Sequence, residues 1–245
     1  MGYYNDFLSV LPKLKVIANQ AENVVLENDE SLEVYNPFNY GIECYLKYLE
    51  QKFSQCWPCR IVIGLNPGLD GAVQTCVPFT DVYSCKNRLG IDPTAYMKKY
   101  KNVVPEKYIY RSAEPSANIF YEALEEENYL ADFLSTMLLL NAFPIGMSKE
   151  TVIKKVGGFF AKNVTPNDFK GDFSKKMNDL SEDYLRVVLN GLYVCNIVAL
   201  GRYPSDRLKK LGIKHNYLIH PSPIALRTQK ISREKWKQDI ITLIR

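Results

Sequence analysis

Arg60–Gly68, RIVIGLNPG, joins an unbroken apolar run to Asn-Pro-Gly, and that junction decides the fold. A short apolar run without polar alternation is what a strand buried on both faces of a parallel sheet requires. The proline and glycine behind it stop the strand and force a turn. Working outward, three more runs have this form: Thr136–Asn141, Asn196–Gly201 and Tyr217–His220. Helical patterns separate most of them, at 5–25, 39–53, Asn118–Glu127, Ser205–Leu211 and Ser232–Ile244. A further helix starts at Thr165, a good N-cap with Pro166 in the first helical position, and runs toward Leu192 with a break near Gly171. The alternation predicts an α/β fold: a single domain over 1–245 with a central, mainly parallel four-stranded sheet flanked by helices. Residues 84–116 and 144–163 are the least regular and read as long loops.

Bulk properties narrow the class. A chain of 245 residues can bury one sizeable core, and 47% hydrophobic with 24% charged residues is ordinary for a soluble globular protein. No apolar run is long enough to span a membrane. The start, MGYYNDFLSV, has neither a basic n-region with an apolar stretch behind it nor Ser or Thr at position 6. The expected location is intracellular, cytoplasmic in a prokaryote or nuclear in a eukaryote. A net charge of +4 permits nucleic-acid binding. Its distribution says more. Arg227, Lys230, Arg233, Lys235 and Lys237 stand against Glu234 alone, and Lys98, Lys99 and Lys101 form a second cluster.

Six cysteines in an intracellular protein are expected as thiols. Cys56 and Cys59 form a CxxC that precedes a strand, the wrong side for a redox motif. A metal or cluster needs two more ligands. Cys76 and Cys85 are candidates by spacing, but no second CxxC exists. Neither a metal nor a cofactor is expected.

In an open α/β sheet, ligands bind beyond the carboxyl ends of the strands. Those ends here carry Asn66-Pro67-Gly68, Asn141, Gly201-Arg202 and His220-Pro221-Ser222-Pro223. A histidine can stabilise an anion on a leaving group. One asparagine can position a water, and another can pair with a base edge through its donor and acceptor sides. Phe79 can stack on a flat ring. No P-loop, HExxH or Ser–His–acid arrangement is present. The parts suit cleavage of an N-glycosidic bond better than hydrolysis of peptides or phosphates.

GLNPGLDGAVQTCVPF (64–79) resembles the first motif of the single-strand-selective monofunctional uracil-DNA glycosylases, which read GMNPG followed by QTGVPFG. YNPFNY (35–40), RLGI (88–91), LLNAFP (139–144), KNVTP (162–166), ALGRY (199–203) and HPSP (220–223) fall in that family's order and approximate spacing. The resemblance implies that Asn66 holds the attacking water and His220 stabilises charge on O2 of the departing pyrimidine. It implies that Phe79 stacks on the flipped base and Asn141 reads its Watson–Crick edge. Backbone amides near Gly68 and Ser222 would grip phosphate or a base carbonyl. The segment Ile224–Lys230 would enter the duplex, with Leu226 and Arg227 as the leading wedge residues and Lys230 beside them. DNA, duplex or single-stranded, is the implied partner, with no membrane and no obligate protein partner. No Lys stands at a motif position suited to Schiff-base chemistry, so hydrolysis without strand cleavage is expected.

The sequence departs from the family where a pyrimidine 5-substituent would sit. Asp70 replaces Phe, Ala72 replaces Met, and Cys76 replaces Gly. After HPSP, the family's Arg/Asn-rich wedge becomes IALRTQK. Two substrate readings follow: uracil or 5-hydroxymethyluracil in base-excision repair, or a bulky modified pyrimidine such as glucosylated 5-hydroxymethylcytosine in antiviral defence. Asn141 allows either base, since a flipped amide presents the opposite pattern. A nucleic-acid-binding module without catalysis is the reading from another class, and the retention of both Asn66 and His220 argues against it.

Overall fold

The computed structural model describes residues 2–97, 114–126, 130–153, 158–192 and 196–245. Lys98, Lys99, Lys101 and Cys195 lie outside the described residues. In chain order the elements are α1 (Tyr3–Asn28), β1 (Leu32–Tyr35), α2 (Pro37–Tyr40), α3 (Ile42–Phe53), β2 (Arg60–Gly64), α4 (Ala72–Thr75), α5 (Val82–Asn87) and α6 (Thr94–Met97). Next come α7 (Pro115–Glu126), α8 (Leu130–Thr136), β3 (Met137–Asn141), β4 (Gly146–Ile153) and β5 (Gly158–Val164). A 3-10 turn at Pro166–Asp168 leads to α9 (Gly171–Val188), β6 (Asn196–Leu200), α10 (Arg202–Lys210), β7 (Asn216–Leu218), α11 (Pro223–Thr228) and α12 (Arg233–Ile244).

The expected parallel sheet is present, with strand order β3-β2-β6-β7. Its three pairings are all parallel, and β2 and β3 run in register from Arg60 opposite Met137 to Gly64 opposite Asn141. Ile61, Val62 and Ile63 are fully buried, as are Leu138, Leu139 and Leu140. Both faces are covered by helices, which explains the unbroken apolar runs; each such side chain contributes about 1.5–3 kcal/mol on burial. Tyr45 and Tyr48 of α3 donate their hydroxyls to the carbonyls of Leu139 and Met137, pinning that helix to β3.

A second sheet lies outside the sequence expectation. Segment 144–163, read as loop, forms most of an antiparallel hairpin, β4 with β5, and β1 joins its edge in the order β1-β4-β5. The helix expected from Thr165 begins as a 3-10 turn, closed by reciprocal bonds between Thr165 and Asp168, and the α-helix proper restarts at Gly171, where φ is +62°. The expected break is therefore real, and it separates the turn from α9.

The two cysteines of the CxxC are exposed, whereas Cys76 and Cys85 are buried. Among the described residues, no group of three or more His, Cys, Asp or Glu could hold a metal ion. Among those same residues, no helix is long and apolar enough to cross a membrane.

Candidate active site

The ends of β2, β3 and β7 deliver the three polar residues expected there. Backbone bonds from Ala142 N–H to Gly64 O and from Phe143 N–H to Leu65 O, both 2.8 Å, continue the β2–β3 pairing past the strand ends. They hold the Asn66 turn alongside Asn141. Gly64 is the point of convergence. A Cβ there would stand 2.7 Å from Cζ of Phe79 and 3.0 Å from Oδ1 of Asn141. The glycine is required because an aromatic ring and an amide close over its α-carbon.

Asn141 is 9% exposed, and its side-chain amide has no hydrogen-bond partner among the described residues. It lines a cavity of about 30 Å³ together with Pro67, Ala72, Cys76, Pro78 and Tyr184. The amide faces this partly open cavity, where a water or a base edge can pair with its donor and acceptor sides. Phe79 is buried and stacks on Phe120 with ring centroids 5.5 Å apart.

Asn66 is half-buried. Its Nδ2 donates to Pro67 O and Val164 O, both at 3.4 Å, which leaves Oδ1 free among the described residues to accept from a water. The second of these bonds ties the residue to the end of β5. Gly68 O accepts from Gly71 N–H and Val73 N–H, closing the next turn, while Gly68 N–H donates to no described residue.

The segment from Cys76 to Phe79 is strained. Cys76 has φ 60° and Phe79 has φ 56°, both left-handed without being glycine, at about 1–2 kcal/mol each. Local hydrogen bonds hold them. The Thr75 and Thr80 hydroxyls lie 2.7 Å apart, Thr80 donates to Val77 O, and Val77 N–H donates to Thr75 Oγ1. Strain of this kind collects at functional sites.

His220 follows β7 and is half-buried, with its Cβ 3.6 Å from the position a Cβ would take at Gly201. Ser222 N–H donates to Nδ1 at 3.3 Å. That bond needs Nδ1 unprotonated, so the neutral ring carries its proton on Nε2. Burial lowers the pKa to about 4, so the imidazole is neutral at physiological pH. Trp236 Nε1 donates to Ile219 O at 2.8 Å and fixes the backbone just before it. The other histidine, His215, sits within hydrogen-bond reach of Ser205 and Ile213 O, away from the rim.

The segment behind the HPSP motif corrects the sequence expectation. Residues 223–228 form α11, N-capped by Ser222, whose Oγ accepts Ala225 N–H. Leu226, expected as a wedge, is 5% exposed and packs in the core. Ile224 is 70% exposed and is the apolar side chain this helix presents. The two are two residues apart, about 200° around a helix, so they cannot share a face. The basic cluster also divides. Lys237 is buried against Glu126 and Glu234, Arg233 pairs with Glu122, and Lys235 with Asp239. Those three fasten α12 or lie along it. Arg227 and Lys230 are exposed and make no ion pair among the described residues.

Glu114 has no counterpart in the sequence reading. Its N–H donates to the Asp81 carboxylate at 3.1 Å, and its own carboxyl packs on the NPGLDG turn. A Cβ at Gly71 would stand 2.0 Å from Oε2. Burial, then the charges of Asp81 and Asp70, push its pKa up to about 8, so it is largely protonated at neutral pH. Asp70 is exposed at the rim, while Ala72 is buried on the cavity side.

No protein-family model matches the sequence, and no curated protein matches it. Among solved structures, the crystal structure of wild-type Pedobacter heparinus SMUG2 is similar over 99% of this chain and 96% of that one, with a TM-score of 0.68 and 17% sequence identity. At that identity the likeness speaks for the fold alone, the α/β arrangement built on the four-stranded parallel sheet.

Proposed function

We propose that this protein is a monofunctional DNA glycosylase that extrudes a pyrimidine nucleotide and hydrolyses its N-glycosidic bond. The observation that carries the reading is the side-chain amide of Asn141 facing a small, partly open cavity, on the rim that also holds Asn66 and a neutral His220. The likeness in fold to SMUG2 supports it. In this mechanism the C1′–N1 bond breaks and its electron pair leaves with the base. Nε2–H of His220 donates to O2, where the charge develops. A water held by Asn66 Oδ1 adds to C1′ and releases a proton to solvent, leaving an abasic site. Extrusion costs a few kcal/mol, and Ile224 filling the vacated stack, with Arg227 and Lys230 on phosphates, offsets it.

Uracil or 5-hydroxymethyluracil is the preferred substrate in this reading, because the narrow space beside Asn141, about 30 Å³, suits a small substituent. The test is mass spectrometry of bases released from duplex and single-stranded DNA containing uracil, 5-hydroxymethyluracil or glucosylated 5-hydroxymethylcytosine. Release of the first two is expected. Asn66→Ala and His220→Ala should retain DNA binding and lose base release. Release from the glucosylated DNA alone overturns the substrate assignment. DNA binding without release of any base overturns the catalytic one.

A further inference from the structure

We propose that the thiol of Cys76 is a size gate for the pyrimidine 5-substituent. This rests on the glycosylase reading above and deepens it. Asn141, Cys76 and Ala72 line one cavity, so in that reading the C5 side of a pyrimidine paired with Asn141 is taken to face the thiol.

Three independent observations converge on this residue. First, Cys76 ends α4 in the left-handed region, φ 60° and ψ 3°, where glycine is the ordinary occupant. A side chain kept there against the backbone's preference has a task in that place. Second, its sulfur has a made seat. A Cβ on Gly41 would stand 2.3 Å from Cys76 Sγ. Gly41 has φ −150°, outside the left-handed region that calls for glycine, so the space taken by the sulfur accounts for it. Third, the cavity has a volume of about 30 Å³. A water needs about 10–15 Å³ of such volume, so the space holds about two non-hydrogen atoms. The cavity is partly open, so the expected discrimination is graded: hydrogen, methyl and hydroxymethyl groups enter readily, and a rigid three-carbon group meets the thiol.

The gate acts by volume and not as a nucleophile. Burial, then the neighbouring Cys44 and Glu43, push the Cys76 thiol well above its ordinary range, so it stays protonated and soft.

The experiment measures kcat/KM on duplexes carrying uracil, thymine, 5-hydroxymethyluracil or 5-(1-propynyl)uracil opposite guanine. In the native protein the propynyl base is expected to be poorer than uracil by about ten- to two-hundredfold, the scale on which an apolar pocket discriminates. Cys76→Gly removes both the thiol and the backbone strain, and should raise Tm and release the propynyl base nearly as well as uracil. Cys76→Ala, which keeps the backbone conformation and removes only the sulfur, should move in the same direction. Cys76→Ser should retain the native ranking. An unchanged propynyl-to-uracil ratio in Cys76→Gly and Cys76→Ala, with uracil still released, overturns the gate and leaves the glycosylase reading standing. Failure of the native protein to release any of the four bases overturns that reading and the gate with it.

Discussion

Replacing His220 by Gln tests the electrostatics of the site most directly. Burial lowers the imidazole pKa from 6.5 to about 4. A shift of that size corresponds to about 3 kcal/mol against the charged form, at 1.36 kcal/mol for each pKa unit. The folded state binds fewer protons at this residue than the unfolded chain. Its contribution is nil above the unfolded pKa, and stability is lost as pH falls from about 6.5 through about 4. The difference in unfolding free energy between the native protein and His220→Gln should therefore change by about 3 kcal/mol between pH 7 and pH 3.5, with the native protein losing more. Chemical denaturation at several pH values measures it, and proton NMR of the two histidine rings should show one titrating near 4. In the proposed mechanism, catalysis follows the same state. A neutral Nε2–H donor predicts that kcat/KM, once folding is accounted for, does not fall as pH rises through 6.5. An activity limb centred near 6.5 that disappears in His220→Gln would refute the neutral-donor mechanism.

Four other outcomes are expected. Gly64→Ala should cost about 1–3 kcal/mol in stability by driving a methyl group into Phe79 and Asn141, and should abolish base release; near-native activity would mean that these two side chains are not held as described. Ile224→Ala should slow excision from duplex DNA and spare single-stranded DNA, so equal slowing on both would show that the side chain does not act in opening the duplex. Arg227→Ala and Lys230→Ala should each lower the slope of log K against log salt by about 1, measured by fluorescence anisotropy. Glu114→Gln should be stabilising relative to the native protein as pH rises from 4.5 to about 8, because an acid with a raised folded pKa loses stability across that window; parallel stability profiles would contradict the burial of that carboxyl.

The four central strands were legible because their burial on two faces leaves unbroken apolar runs, as in Ile61–Ile63 and Leu138–Leu140. The strand-end rule then placed Asn66, Asn141 and His220 on one rim. The hairpin of β4 and β5 was missed because β4 carries Ser148, Lys149, Glu150 and Thr151 in succession and the pair belongs to a small antiparallel sheet, where apolar runs are not needed. Its signal was the Gly157-Gly158 pair between two strand-length runs. Leu226 was misjudged because residues 223–228 were read as a wedge without regard to helical phase, and phase alone exchanges it with Ile224. Glu114 gave no local signal at all, since its position over Gly71 comes from chain segments 43 residues apart in sequence.

The opposed placement of Ile224 and Leu226 on one short helix has a thermodynamic consequence. A side chain on a loose loop must lose conformational freedom when it enters DNA, at about 0.5–1.5 kcal/mol for each such residue. Here Leu226 is anchored in the core, its carbonyl accepts Ile231 N–H, and Ser222 caps the helix start, so the backbone beneath Ile224 is ordered during folding. In the proposed function, the entropy of presenting Ile224 is thus charged to the fold and not to the encounter with DNA. Leu226→Ala, at a core residue on the side of the helix opposite Ile224, should accordingly weaken duplex opening as well as stability if the proposed function holds.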